Sequence, residues 1–185
     1  MSWENRNILV GVAGGIAAYK VAGLVSTLVQ AGAEVQVVMT EAATRFIGPV
    51  TFRSLSGRPV VTSAFDEQPF PESPHVGVAR WAELAILAPA TADLIARLAT
   101  GLTDDPVSLV TCALPQSTPV VLAPAMNADM WANPVVQRNC GTLTEELGYH
   151  LVGPDDGWQA CRTDGSGRMS EPDSIINAAA AHLPD

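Results

Sequence analysis

The chain has 185 residues, of which 48% are hydrophobic and 16% charged, with a formal net charge of −9. This balance excludes a disordered chain and a generic nucleic-acid binder, which needs a basic stripe. No apolar run reaches the ~18 residues of a membrane span, and the N-terminal MSWENRNILVGVAGG has no secretory core, so a cytoplasmic protein without membrane contact is the expectation.

"NILVGVA" (Asn7–Ala13) is a short continuous apolar run ending in glycines, the pattern of a strand buried on both faces. Residues 14–32 follow as a helix: Ile16, Val21, Leu24, Leu28 and Val29 recur at helical spacing, and Gly32 stops it. Glu34–Thr40 reads as a second strand, 41–48 and 49–57 as short helices, and 59–63 as a further strand. Ala64–Pro74, with three prolines, reads as a loop. Glu83–Ala88 is the next strand, ended by Pro89, and Thr91–Gly101 and 107–115 are helices. A strand over 119–125, a helix over 133–148, a short strand over 149–153 and a closing helix over 171–183 complete the pattern.

Strands alternate with helices throughout. The fold class is therefore α/β: one open, mostly parallel sheet of flavodoxin-like or Rossmann-like type, with helices on both faces and right-handed crossovers. The length suits a single domain over residues 1–185, and no linker divides it. Three cysteines, Cys112, Cys140 and Cys161, with no CxxC, argue against a disulfide framework or zinc knuckle, and no HExxH is present. No metal site is expected.

Ligands of open α/β sheets bind beyond the carboxyl ends of the strands, so the residues just after each strand carry the information. After the first strand, "GVAGGIAA" lacks the GxGxxG spacing of a NAD fingerprint; it reads as a tight turn or as an anion site made of amides at a helix N-terminus. Thr40 closes the second strand, where a hydroxyl suits a phosphate or ribityl chain. "APATADL" puts Thr91 at a helix start, either as an ordinary cap or as a second hydroxyl facing the cleft. "APAMNADMW" places Asn127, a donor and an acceptor, after the next strand; Met126, Met130 and Trp131 read as core. His75 reads as a surface residue or as an acid/base group in a loop. Cys161 lies in "GWQACRTDGSGRM", polar and glycine-rich surroundings unusual for a cysteine.

"GGIAAYK", a histidine followed by "RWAELAILAPATADL", "PAMNADMW" and "QAC…GSGRM" occur together in one order. In these the chain resembles, over nearly its whole length, the homo-oligomeric flavin-containing cysteine decarboxylases, and among them the pantothenate branch. The resemblance implies FMN as cofactor and decarboxylation of 4′-phosphopantothenoylcysteine to 4′-phosphopantetheine in coenzyme A biosynthesis. It places FMN against Gly15, Ile16 and Ala17, against Thr40, Glu41 and Ala42, against Thr91, Ala92, Asp93 and Leu94, and against Ala125. It makes His75 the catalytic base, Asn127 the holder of the substrate carboxylate and Cys161 the proton donor. Trp158, Gln159 and Ala160 fall in a mobile substrate clamp, and Arg80 matches an active-site arginine, read as an anion contact. The family usually has glycine directly after the clamp cysteine, where this chain has Arg162: either the loop takes another path, or Arg162 adds a charge near the substrate phosphate, the reading preferred here.

The chemistry implied begins with oxidation of the CH₂–SH group to a thioaldehyde, which gives the departing carboxylate an electron sink. Loss of CO₂ leaves an enethiolate, and hydride return plus a proton from Cys161 completes the product. The resemblance also implies a homotrimer or homododecamer, in which His75 serves a neighbour's flavin, and a separate ligase that makes the substrate. Three related readings compete: peptidyl-cysteine decarboxylases that stop at the enethiol, flavin prenyltransferases with a "GASG"-like first turn absent here, and FMN-binding phosphatase-inhibiting subunits with long acidic tails.

Overall fold

In the computed structural model, which describes residues 2–65 and 73–183, the apolar runs assemble into one parallel sheet. Its strands are β1 (Asn7–Val12), β2 (Glu34–Met39), β3 (Leu84–Ala90), β4 (Val120–Pro124) and β5 (His150–Leu151), in the order β2–β1–β3–β4–β5. Every residue of β3 and β4 is buried, as expected of parallel strands covered on both faces.

Helix α1 (Ala18–Gln30) buries Ala18, Val21, Leu24, Val25 and Leu28, an i, i+3, i+4 stripe against one face of the sheet. The short α2 (Glu41–Thr44) follows β2, and α3 (Pro49–Ser56) anchors Phe52 in the same layer as α1. Three helices cover the opposite face: α4 (Pro74–Trp81), α5 (Ala92–Thr100) and α6 (Pro106–Cys112). The turn α7 (Ala128–Trp131) leads to α8 (Pro134–Gly141), which runs on as a π-helical segment, Thr142–Glu146, and packs Cys140 and Leu143 into that second core. Strands β6 (Asp155–Trp158) and β7 (Asp164–Arg168) form a separate antiparallel hairpin, and α9 (Pro172–Ala180) returns to the α1 layer.

Four expectations change. The strand over 59–63 reduces to one residue, Val61, bridged to Val38 at the open edge of β2; Pro59 has no N–H with which to extend the ladder. Pro89 does not end β3: the strand continues to Ala90, and a register shift between Leu87 and Ala90 absorbs the missing donor. The first helix starts at Ala18, leaving Gly14–Ala17 as a free turn. The clamp is a paired hairpin, not a loop, and only its tip, 159–163, is a turn. The loop expected over Ala64–Pro74 falls largely on residues 66–72, outside those described, and α4 begins at Pro74.

Candidate functional site

The chain leaves β1 toward β2 and leaves β3 toward β4, so the sheet order reverses between β1 and β3. A crevice opens at the carboxyl ends of such a pair. Here it is a cavity of about 910 Å³, a size suited to a cofactor with its substrate. The turn after β1 (Gly14–Ala17), the start of α5 (Thr91–Asp93), the segment after β4 (Ala125–Asn127) and the β6–β7 hairpin line it.

The first turn has little freedom to vary. A Cβ on Gly14 would lie 2.4 Å from the Ala42 Cβ, so only glycine lets α2 pack against this turn. The amide N–H groups of Gly15, Ile16 and Ala17 have no acceptor among the described residues and precede a 13-residue helix, an arrangement that receives an anion. Thr40 Oγ1 accepts from the Ala43 N–H (3.1 Å) and Thr91 Oγ1 from the Leu94 N–H (3.3 Å), so both threonines are helix caps. Capping uses the oxygen as acceptor and leaves each O–H available to donate. Amides, hydroxyl donors and a roomy apolar lining fit a phosphorylated, ring-bearing cofactor such as FMN.

The other wall carries the candidate chemistry. Asn127 Oδ1 caps α7, accepting from the N–H groups of Asp129 (2.8 Å) and Met130 (3.3 Å), which turns Nδ2 toward Cys161 Sγ at 3.4 Å. Cys161 is exposed at the hairpin tip, and its Sγ lies 3.0 Å from Thr163 Oγ1. Hydrogen bonding by Thr163, then by Asn127, holds its thiol below the ordinary cysteine range. Gln159 is only 7% exposed; its amide accepts from the Ala128 N–H and donates to the Gly165 carbonyl, tying the hairpin to α7. The glycines of "GSG" serve close approach more than motion. A Cβ on Gly167 would sit 2.3 Å from the Met126 carbonyl oxygen, and the Met126 N–H donates to the Gly167 carbonyl at 2.9 Å.

Arg162 occupies the left-handed region at φ 67°, the conformation that glycine takes without cost. The turn therefore keeps the path a glycine would give it, and Arg162 is exposed at the hairpin tip, next to Cys161 of the cavity lining but not itself part of that lining.

The cavity brings together Gly15, Ile16, Ala17, Thr91, Ala92, Asp93, Ala125, Asn127, Trp158, Gln159, Ala160 and Cys161. Trp158, 60% exposed, and Met130, 47% exposed, also face it, so Met130 is not the core residue expected. Thr40, Glu41, Ala42 and Leu94 are not among the residues that line it: Thr40 and Glu41 open α2, whose Ala42 stands directly behind Gly14, and Leu94 is buried one turn into α5. His75 and Arg80 do not line the cavity: α4 carries both, His75 half-buried in its first turn and Arg80 exposed near its end. Three charged residues without a role in the sequence pattern do line it. Lys20 Nζ and Arg168 both bind Glu171, Lys20 at 2.9 Å. The signal that could have found the two cations is their membership of the "GGIAAYK" and "GSGRM" motifs.

The family model described as Flavoprotein matches residues 2–183. The chain is 46% identical over 182 residues to the coenzyme A biosynthesis bifunctional protein CoaBC of Bacillus subtilis, covering 98% of this chain and 44% of that protein. It is also 46% identical to CoaBC of Escherichia coli K12, over 99% of this chain and 44% of that one. The chain thus spans less than half the length of these curated relatives. Two solved structures share the fold at TM-score 0.84: the FMN-dependent cysteine decarboxylase SpaF (30% identical; 98% of this chain, 99% of that) and a PPC decarboxylase mutant complexed with pantothenoylaminoethenethiol (28% identical; 96% and 98%). No helix among the described residues is long and apolar enough to cross a membrane.

Proposed function

The chain belongs to the Flavoprotein family, and on that premise we propose that it binds FMN and decarboxylates 4′-phosphopantothenoylcysteine to 4′-phosphopantetheine, a step of coenzyme A biosynthesis. One observation carries the reading: on one cavity wall the Asn127 amide meets the Cys161 thiol at 3.4 Å, and on the other an anion-receptive turn stands open. When bound, FMN supplies reversible two-electron chemistry, accepting a hydride from the substrate and returning it after CO₂ has left.

The chain's own residues do the rest. The Gly15–Ala17 amides and the Thr40 and Thr91 hydroxyls hold the cofactor. Asn127 Nδ2 donates to the substrate carboxylate and fixes it where it can leave, which is positioning and not acid–base work. Trp158 and the hairpin tip cover the substrate and exclude water. Cys161 gives a proton to the carbon next to the sulfur-bearing one once CO₂ is gone.

His75 as base and Arg80 as anion contact belong to the same proposal, acting at a neighbouring subunit's cavity in a homotrimer or homododecamer. A stable monomer on gel filtration would remove them from it. A single flavoprotein domain over 1–185 and supply of the substrate by a ligase complete the reading.

Arg162→Gly is expected to raise the Michaelis constant for the phosphorylated substrate, because a cation leaves the clamp tip, while FMN affinity stays as it was. Steady-state kinetics beside a flavin titration check this, and an unchanged Michaelis constant removes Arg162 from substrate binding. For the function as a whole, the FMN-loaded protein is incubated with 4′-phosphopantothenoylcysteine and the product is identified by mass. 4′-Phosphopantetheine with the flavin re-oxidised supports the assignment. Enethiol accumulating beside reduced flavin would move it to the oxidative peptidyl-cysteine class.

A further inference from the structure

The tip of the β6–β7 hairpin is built around one contact. The Gln159 N–H donates to the Thr163 carbonyl (2.9 Å) and the Arg162 N–H to the Gln159 carbonyl (2.9 Å), closing a tight turn with Arg162 left-handed. That closure brings Thr163 Oγ1 to 3.0 Å from Cys161 Sγ, while Gln159 Oε1 and Asn127 Nδ2 stand at 3.4 Å. We propose that Thr163 is a positioning residue for the proton-transfer step, its hydroxyl aiming the Cys161 thiol and then stabilising the thiolate left behind. This inference rests on the proposed function, in which Cys161 is the acid.

A hydroxyl suits both ends of that step. Before transfer its oxygen accepts from S–H, and after transfer the same group rotates and donates to S⁻. In the step the S–H bond breaks, the substrate carbon gains the proton and a C–H bond, and Cys161 is left as thiolate, which recovers a proton from water. The hydride for the adjacent carbon is the one removed from the substrate in the first half of the reaction, so no further reductant is needed. A carboxylate in place of Thr163 would raise the thiol's pKa by charge; threonine lowers it by hydrogen bonding.

The neighbouring charges do not perform this task. Arg162 and Asp164 flank the tip and are exposed. Across the cavity, Lys20 and Arg168 are engaged by Glu171, and Asp93 by Arg97 at 2.7 Å. No charged side chain contributes to the lowered thiol, whereas Thr163 contributes most.

The test uses Thr163→Val, which keeps the β-branched shape and removes the hydroxyl, with Thr163→Ser as rescue. The first readout is the pH dependence of Cys161 alkylation by iodoacetamide, resolved by peptide mass so that Cys112 does not interfere. The thiolate reacts, so removing the hydroxyl moves the midpoint to higher pH. At a fixed pH below the midpoint, alkylation slows about tenfold for each whole pH step the midpoint climbs. The second is the pH profile of product formation. The acid form exists below the thiol's pKa and is lost above it, so in Thr163→Val the alkaline limb moves to higher pH, with a lower kcat and little change in KM. Thr163→Ser restores both profiles. Unchanged midpoints in Thr163→Val, or a serine variant behaving like valine, would overturn the proposal. Because alkylation requires no turnover, a protein that decarboxylates nothing yet shows the displaced midpoint rejects the function while upholding the Thr163–Cys161 coupling.

Discussion

Asn127→Asp is expected to fold, to bind FMN, and to release CO₂ about 10²–10³-fold more slowly than the parent protein. The cap on α7 uses Oδ1, which accepts from Asp129 and Met130, and aspartate supplies the same oxygen. What disappears is Nδ2. A hydrogen bond to a charged partner contributes about 1.5–3 kcal/mol, and each ~1.4 kcal/mol is tenfold in rate. A carboxylate facing the substrate carboxylate adds repulsion to the lost bond. Stopped-flow flavin spectra and CO₂ measurement in parallel show whether the oxidation or the loss of CO₂ has slowed. Normal turnover by the aspartate variant would remove Asn127 from the carboxylate site.

Cys161→Ser should divide the reaction. Oxidation and loss of CO₂ precede the proton transfer and should proceed at near-parental rates. Formation of 4′-phosphopantetheine should fall about 10²–10⁴-fold, the usual contribution of a positioned general acid, because an alcohol is a far weaker acid than a thiol held below its ordinary pKa. The measured signs are accumulated enethiol and flavin that stays reduced. Full product from the serine variant would mean that the proton comes from elsewhere. The site is exposed at a turn, so the substitution leaves both cores intact and a loss of folding cannot mimic the result.

The parallel sheet was readable because its strands are buried on both faces, and unbroken runs such as "ILVGV" and "LAILA" have no other use in a chain this short. The positions of Thr40, Thr91 and Asn127 after strands were readable for the same topological reason. The β6–β7 pairing was not, because "DDGW" and "DGSGR" carry no apolar alternation; what pairs them is backbone hydrogen bonding and contact with the Met126–Ala128 segment. The role of Gly167 is space, a fact that depends on where Met126 lies in three dimensions. Continuation of β3 through Pro89 depends on a register shift that propensity cannot foresee. Thr163 is two residues from Cys161 in sequence, yet their link requires the left-handed turn at Arg162.

His75 marks where residue-level likeness and the geometry of one chain part. It stands in the first turn of α4, off the cavity lining, and the proposal therefore has it act at a neighbouring subunit's cavity. The balance of the reaction itself tests the account most directly. FMN-loaded protein, given 4′-phosphopantothenoylcysteine and no external reductant, should release CO₂ and form 4′-phosphopantetheine in equal amounts over many turnovers, with the flavin oxidised at the end. CO₂ release that stops after one equivalent per flavin, or no CO₂ at all, would contradict it.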